Sequence, residues 1–308
     1  MKLRENLQRI VEAPDQGVGM DVIIVSTTSK DQEDFWQERL TAGLGQIGKQ
    51  DAVVVAVNED WPGGAGNGLG TLYAVQKAAA KAKDLLGVDL LQTLNDGAAV
   101  GLYHTAGKGT RLAPLPGSES NNKPAVKLPG LIEINGEQVA MTILEGVIRQ
   151  TAIYAASRRG RISVFWGDQI FIPSADACYD ATHHVDILAR LAPMPDAETW
   201  ATEGLHKYGL IAVGADGDAS QVEKITHATA VQLIDDGVIQ VAGGIGVSLG
   251  SFSISAAMTT ALLEEFAPEL QAKTEKFDTD PHFWMPMTLD EKTYVEIMGG
   301  KEVPVADA

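Results

Sequence analysis

The sequence predicts an α/β fold in which a mixed, mainly parallel sheet is sandwiched by helices. Two observations predict this fold. Apolar, β-branched runs alternate with helix-like segments along the first half of the chain, a pattern typical of parallel strands joined by helices. In addition, 308 residues with 45% hydrophobic and 21% charged residues can bury a large core. We expect a single domain over 1–308, with a smaller lobe included in 173–300.

The elements before residue 90 alternate in type. DVIIVST at 21–27 and DAVVVAVNE at 51–59 are rich in β-branched residues and predict strands. The segment 31–43 between them predicts a helix. A glycine-rich loop follows the second strand, and we expect the next helix to begin near Thr71.

The middle of the chain continues the alternation. AAVGLYHT at 98–105 is a continuous apolar run that predicts a buried parallel strand. The segment 141–157 carries apolar residues at nearly helical spacing and predicts a helix. RISVFWGDQIF at 161–171 predicts a strand that ends in Gly-Asp.

The second half is less regular. Scattered proline and acidic residues in 173–205 predict an insertion of loops and helix. Two β-rich runs around Ala-Asp-Gly-Asp predict a hairpin over 207–226. A glycine-interrupted strand is expected at 243–255 and a helix at 256–270.

The net charge of −17 excludes some classes of partner. Such a chain is not expected to bind nucleic acid non-specifically or to adsorb to an anionic membrane surface. An anionic ligand would need a local basic cluster. The chain offers one in Lys108, Arg111, Lys123 and Lys127.

The single cysteine, Cys178, excludes an intrachain disulfide and a cysteine-based zinc site. The first residues lack the apolar region of a secretory signal, and no apolar run approaches the ~18 residues of a membrane span. We therefore expect the cytoplasm as the compartment.

Residues 104–124, HTAGKGTRLAPLPGSESNNKP, have the composition of a phosphate-binding turn after a strand. Gly107 and Gly109 have no side chains that would keep backbone N–H groups from phosphate oxygens. Arg111 offers a planar set of donors, and Lys123 adds a compact second charge.

This segment resembles the GxGTRLxP signature of sugar-1-phosphate nucleotidyltransferases, which a Lys-Pro pair follows about a dozen residues later. Four further segments match the same family. KYGLIAV followed by VEKI resembles the family's YG and EKP elements, which implies that Gly209 and Glu223 bind the sugar and that Lys224 contacts its phosphate. The family's proline is replaced by Ile225, so the following loop is expected to differ.

The resemblance also implies a Mg²⁺ site. WGDQI resembles the family's LxGD element, whose aspartate, here Asp168, holds the metal. Near the C-terminus, FDTDPHFWMPMTLDEKTY loosely resembles the second metal-binding segment, with Asp280 as the first choice of ligand and Asp278 as the second. An acidic turn before an aromatic packing cluster explains the same residues without a metal.

The order of the elements is unusual. GNGLGTLYA at 66–74 resembles the loop that frames the nucleobase, but it precedes the signature instead of following it. Such a circularly permuted order resembles the pyrophosphorylase part of fucokinase/GDP-fucose pyrophosphorylase proteins. A parallel sheet depends on which strands pair and not on where the chain begins, so the site can be retained.

Together these matches, from about residue 20 to 294, imply a Rossmann-like, GT-A-like enzyme with a sugar-binding lobe. It would transfer a nucleotidyl group from UTP or GTP to a sugar 1-phosphate, with Mg²⁺ as cofactor and pyrophosphate as second product. The implied catalytic residues are Arg111, Lys123 and Lys224. The implied nucleotide-binding residues are Gly66, Gly68, Gly70, Thr71, Ala106, Gly107, Gly109 and Thr110.

Two alternatives remain open at this point. A catalytically inactive, regulatory protein that binds a sugar nucleotide would retain the fold. A GT-A glycosyltransferase would share the fold and the metal; its DxD pattern occurs here only in Asp278-Thr279-Asp280, late in the chain. The sequence identifies neither the base nor the sugar, and it does not exclude a homo-oligomer.

Overall fold

The computed structural model describes residues 2–105, 122–170 and 172–299. It is an α/β structure with a mixed, mostly parallel central sheet flanked by helices, which confirms the predicted class. The chain forms two compact units. The first comprises 1–61, 71–186 and 252–271, and the second comprises 62–70, 187–251 and 272–308.

The helices and strands are numbered in chain order. The α-helices are α1 Lys2–Glu12, α2 Lys30–Gly43, α3 Gly66–Leu86, α4 Leu90–Asn95, α5 Ile143–Thr151, α6 Ala197–Thr202, α7 His227–Asp235, α8 Ala256–Glu265, α9 Ala267–Ala272, α10 Met285–Thr288 and α11 Glu291–Met298. The strands are β1 Val22–Thr27, β2 Val53–Asn58, β3 Ala99–His104, β4 Lys127–Ile134, β5 Glu137–Thr142, β6 Arg161–Trp166, β7 Val185–Ala192, β8 Gly209–Val213, β9 Ala219–Glu223 and β10 Gly244–Ser255.

The sheet of the first unit follows the order β2-β1-β3-β6, and all neighbouring strands in it are parallel. Residues 252–255 at the end of β10 pair with β6 in the antiparallel direction. Val22 pairs with Val53 on one side and with Val100 on the other. Every residue of β1 and β3 is buried, as expected for strands covered on both faces. Trp36 and Leu40 of α2 are fully buried and add to this core.

A separate hairpin, β4–β5, also belongs to the first unit and was not predicted. Its turn is Asn135-Gly136, and both residues have positive φ angles, 54° and 82°. Asn-Gly with two positive φ values is the preferred composition of a tight hairpin turn. The apolar pattern of β4 and β5 is weak because most of their residues are exposed or half-buried.

Glu145 connects this hairpin to α5 and α2. Its side chain accepts hydrogen bonds from the backbone and hydroxyl of Thr142, which forms a capping box at the start of α5. It also accepts two from Arg39, at 2.7 and 3.0 Å, although it is itself fully buried. Arg39 in turn donates to the carbonyl oxygen of Ala140 in β5. One carboxylate therefore fixes three elements.

In the second unit, β10 pairs with β8 through residues 244–247, and β8 pairs with β9, both antiparallel. The predicted hairpin over 207–226 is thus confirmed. The core of the second unit includes an apolar cluster of Trp200, Leu205, Leu210, Ala212, Val222, Ile225, Ala230, Ile239 and Ile245.

The predicted start of the helix near Thr71 was wrong. Helix α3 begins at Gly66, because a backbone carbonyl and a side-chain carboxylate of the second unit accept hydrogen bonds from the N–H groups of its first turn. Gly68 and Leu69 donate to the carbonyl oxygen of Phe277, and the N–H of Asn67 donates to the carboxylate of Asp278. These partners lie about 210 residues further along the chain, beyond the reach of a local pattern.

Two other segments differ in detail from the prediction. The region 173–205 contains strand β7, which pairs with β10, in addition to the expected helix. The segment 141–157 is an α-helix only to Thr151 and continues as a 3₁₀ helix, Ala152–Arg158. The strand predictions for β1, β2, β3 and β10 are confirmed to within two residues at each end, whereas β6 ends at Trp166, five residues before the predicted end.

Among the residues that the structure describes, no helix combines the length and the apolar character needed to cross a membrane. The single-domain boundaries expected from the sequence stay a prediction.

The buried pair of Arg39 and Glu145 yields a stability prediction. Glu145→Ala should lower the free energy of unfolding by about 3 kcal/mol, because it leaves the largely buried guanidinium of Arg39 without its carboxylate. Urea denaturation would measure it. The exposed Glu38 on the same helix as Arg39 provides the control, since Glu38→Ala should change the value by less than about 0.5 kcal/mol. Equal effects of the two substitutions would contradict the assignment.

Candidate functional site

The first group of candidate residues lies where β3 and β6 end. The parallel ladder continues one residue past each strand, since Thr105 donates to the carbonyl oxygen of Ser26 at 2.9 Å and Gly167 to that of His104 at 2.8 Å. A Cβ atom at Gly167 would lie 3.0 Å from Thr105 Cγ2, which is tight packing. The segments that follow β3 and β6 therefore begin side by side. They lie at the carboxyl ends of the strands, the edge where α/β sheets bind their ligands.

Lys123 and Asp168 meet at this edge. Their side chains form an ion pair although they are 45 residues apart in sequence. Lys123 begins a short 3₁₀ helix, Lys123–Ala125, and Asp168 comes two residues after β6. About a third of each side chain is exposed (32% and 30%), so both groups remain accessible to a ligand.

The remaining residues of the signature are not part of this description. Ala106, Gly107, Gly109, Thr110 and Arg111 lie outside the described residues. Their assigned contacts with phosphate stay a prediction.

Thr71 and His104 form a buried pair in the first unit. Thr71 Oγ1 and His104 Nε2 are 2.9 Å apart, and the two residues are 1% and 5% exposed. Burial lowers the pKa of His104 to about 4, so the imidazole is neutral at pH 7. Thr71, predicted to contact the nucleotide, thus has an internal partner, and the sequence did not predict this pairing.

Gly66 and Gly68 are explained by packing within the second unit. A Cβ atom at Gly68 would lie 2.9 Å from the carbonyl oxygen of Phe277, and one at Gly66 would overlap the same carbonyl. Gly66 also has a positive φ of 76°, which favours glycine. Gly70 is buried. The close approach of the backbone around Phe277 accounts for the first two glycines without a nucleobase, whose contact with this segment stays a prediction.

The second group of candidate residues lies on the hairpin β8–β9. Gly209 pairs with Glu223 across the two strands. A Cβ atom at Gly209 would lie 2.9 Å from Glu223 Oε2 and 2.7 Å from Gln221 Nε2, and closer still to Asp280 Oδ2. The absence of a side chain at position 209 therefore lets three polar side chains converge over the start of β8.

The acidic residues of this group affect one another. Burial, together with the neighbouring carboxylates Glu223 and Asp278, raises the pKa of Asp280 to about 7. Asp278 differs from Asp280, because its carboxylate accepts the hydrogen bond from Asn67 in α3. Of the two candidates for the second metal ligand, Asp280 is thus the one that lies beside the predicted sugar-binding residues.

Lys224 supplies the positive charge of the group. Its Nζ lies 2.7 Å from Glu223 Oε1, and this hydrogen bond raises the pKa of Lys224. Its backbone has a φ of 51°, an uncommon value for a residue with a side chain. The N–H of Lys224 donates to the carbonyl oxygen of Tyr208, and this hydrogen bond joins the two chain segments next to Gly209, at the end of the hairpin away from its turn.

The donor atoms of the predicted metal ligands suit Mg²⁺, a hard cation that prefers carboxylate oxygens. Within the described ranges, however, no three His, Cys, Asp or Glu side chains are arranged to hold a metal ion. Asp168 and Asp280 each offer carboxylate oxygens of the kind that Mg²⁺ takes together with phosphate and water oxygens, and Mg²⁺ binding stays a prediction.

A cavity of about 290 Å³ lies elsewhere in the second unit. It is lined by apolar residues such as Trp200, Leu210 and Ile245, together with Arg190 and Glu203. None of the predicted site residues that the structure describes lines this cavity.

Gln221 is the member of the second group that the sequence analysis missed. It precedes Glu223 by two positions on β9, so both side chains leave the strand on the same face. The period of two could have identified it once Glu223 was chosen.

Comparisons of the chain with protein-family models, with curated proteins and with solved structures found no match.

The buried histidine yields a prediction about pH. The folded-state pKa of His104, about 4, is below its ordinary value of 6.5, so the unfolded chain takes up the proton first as the pH falls. Stability from the neutral ring is complete above pH 6.5 and is lost towards pH 4. Between pH 7 and pH 5 the wild-type protein should lose about 2 kcal/mol more than the His104→Gln variant, which has no ring to protonate. Urea denaturation at both pH values measures this, and identical pH dependences would refute it.

Proposed function

We propose that the chain is a sugar-1-phosphate nucleotidyltransferase with a GT-A-like variant of the Rossmann-like fold, acting in the cytoplasm. The observation that carries the proposal is the contact of Lys123 with Asp168. The family resemblance assigned these residues to phosphate and metal binding from two separate elements, the signature and the Gly-Asp strand end. Their contact at the carboxyl ends of parallel strands, where ligands of α/β sheets bind, supports a polyphosphate site there.

The reaction needs no protein nucleophile. A phosphate oxygen of the sugar 1-phosphate attacks the α-phosphorus of the nucleoside triphosphate in line, a new P–O bond forms, and the bond to the bridging oxygen of the β-phosphate breaks. The electron pair leaves with pyrophosphate. Catalysis then consists of positioning and of stabilising negative charge.

In the first unit, Lys123 would neutralise charge on the triphosphate, and Arg111 would donate to the departing pyrophosphate. Ala106, Gly107, Gly109 and Thr110 would contact the phosphates as the signature implies. Asp168 would hold Mg²⁺, with Asp280 as the candidate ligand in the second unit. The cation would supply charge neutralisation at the phosphate oxygens.

In the second unit, Lys224 would bind the phosphate group of the sugar 1-phosphate, and Glu223 would accept hydrogen bonds from the hydroxyl groups of the sugar. The convergence of Gly209, Glu223 and Asp280 supports this assignment, because an alanine at position 209 would fill the space beside the carboxylates. The permuted order of the elements favours GTP, and the frequency of UDP-sugar enzymes favours UTP, so both remain candidates.

The first experiment measures pyrophosphate release from each of the four nucleoside triphosphates, with a panel of sugar 1-phosphates and Mg²⁺. Arg111→Ala should lower kcat by about 10²–10³, the effect of removing one donor to a developing oxyanion. Asp168→Asn should remove Mg²⁺-dependent turnover. The control is Asp84→Asn, on the exposed surface of α3, which should retain wild-type rates.

Three outcomes separate the alternatives. Release of pyrophosphate that Arg111→Ala and Asp168→Asn reduce supports the proposal. Binding of a sugar nucleotide without any release would indicate the inactive, regulatory protein. Transfer of sugar from a sugar nucleotide, with no pyrophosphate, would indicate the glycosyltransferase.

Lys224 yields a separate prediction about substrate binding. Lys224→Met should raise the KM for the sugar 1-phosphate by about tenfold or more and leave the KM for the nucleoside triphosphate within a factor of two, because a charge-assisted hydrogen bond to phosphate is lost. Initial rates with each substrate varied in turn measure both constants. The exposed Lys292 of the second unit provides the control, Lys292→Met, for which neither constant should change. A rise confined to the nucleotide KM would overturn the assignment.

A further inference from the structure

The side-chain amide of Gln221 is buried in the second unit and has no hydrogen-bond partner among the described residues. The residue is 1% exposed, and the described part of the chain offers a partner to neither the amide nitrogen nor the amide oxygen. Its backbone is held in place, since its N–H donates to Thr288 Oγ1 at 3.0 Å. An unsatisfied buried amide costs about 1–3 kcal/mol for each group, so proteins seldom retain one without a ligand or water to satisfy it.

The Gln221 side chain is directed towards the start of β8. Gln221 pairs with Ile211 in the hairpin register, and Gly209 is its diagonal neighbour. The amide nitrogen lies 2.7 Å from the position that a Cβ atom at Gly209 would occupy, and Glu223 Oε2 lies 2.9 Å from the same position. Asp280 Oδ2 approaches it as well. Gln221 thus belongs to the same convergent group as the carboxylates.

The chemistry of this group indicates what it can bind. An amide donates through nitrogen and accepts through oxygen. A ligand that satisfies the Gln221 amide must therefore present at least one donor and at least one acceptor within a short distance. Neighbouring hydroxyl groups do this, because each one donates and accepts. A methylene group at the same position would leave the amide unsatisfied.

We infer that Gln221 determines specificity for the sugar, and that one of two adjacent free hydroxyl groups of the sugar 1-phosphate hydrogen-bonds to the Gln221 amide. This inference rests on the proposed function and adds to it the residue that reads the sugar. Gln221 is a substrate-contacting residue in this scheme and takes no part in the chemical step.

The test uses direct binding, so that it does not depend on catalysis. Isothermal titration calorimetry of the full chain with the 1-phosphates of glucose, mannose, galactose, fucose and N-acetylglucosamine identifies the sugar that binds best. Its monodeoxy forms are then compared with it. For one deoxy position the wild-type protein should bind about 10- to 100-fold more weakly than with the parent sugar, because removal of that hydroxyl leaves the amide unsatisfied.

Gln221→Met keeps the length of the side chain and removes both polar groups. It should weaken binding of the parent sugar 1-phosphate by about 10- to 100-fold and bind the critical deoxy form about as tightly as the parent. Its melting temperature should equal or exceed that of the wild type, since an unpartnered buried amide is removed. The exposed Gln232 provides the control, Gln232→Met, which should change neither binding nor selectivity.

Three results would overturn the inference: no binding of any sugar 1-phosphate, unchanged selectivity among deoxy forms in Gln221→Met, or a fall in melting temperature accompanied by weaker binding of sugar and nucleotide alike. The last result would assign Gln221 a structural role. The proposed function fails separately. If the wild type binds sugar 1-phosphates through Gln221 but releases no pyrophosphate with any nucleoside triphosphate, the binding inference stands and the catalytic proposal falls.

Discussion

The parallel pairing of β1, β3 and β6 is the constraint on which the first unit depends. Because these strands run in the same direction, their carboxyl ends meet at one edge, and the residues that follow each strand become neighbours. Backbone hydrogen bonds of Thr105 and Gly167 extend the ladder beyond the strands and keep the segments that follow β3 and β6 in register. The contact of Lys123 with Asp168 follows from this geometry, although the two residues are distant in sequence.

The second unit depends on a different constraint, the antiparallel pairing of β8 with β9. There the exchange of hydrogen bonds between β8 and β9 places Gly209 opposite Glu223, and the missing side chain of the glycine admits carboxylate and amide groups that a larger residue would exclude. Burying Asp280 beside other acidic groups costs free energy, which its raised pKa reflects. The adjacent Lys224 offsets part of this repulsion through its contact with Glu223.

The sequence predicted the elements whose signals are local. Strands β1, β2, β3 and β6 have continuous apolar runs, and the hairpin β8–β9 has two β-rich runs around a turn. The hairpin β4–β5 was missed because most of its side chains are exposed and only the Asn-Gly turn marks it. The start of α3 was misplaced because its first N–H groups are satisfied by Phe277 and Asp278, which no local pattern could anticipate.

The candidate site was predictable to a similar extent. The resemblance supplied Lys123, Asp168, Gly209, Glu223 and Lys224, and the structure brings the first two together and the last three together, each group within its own unit. It could not supply the pairing of Thr71 with His104, which depends on tertiary packing, or the packing role of Gly66. Gln221 escaped notice because an uncharged side chain in a strand carries no pattern of its own.

The turn of the hairpin β8–β9 has a consequence for how the chain can be altered. The residues between the strands, at 214–218, are mostly exposed, and Gly217 has a φ of 94° that suits a tight reversal. Extra residues placed in this turn would leave the alignment of the two strands intact. One extra residue within β9 itself would instead rotate every following side chain to the opposite face. Reporter groups or peptide tags therefore belong in the turn, whereas the strand tolerates exchanges of side chain but no change of length.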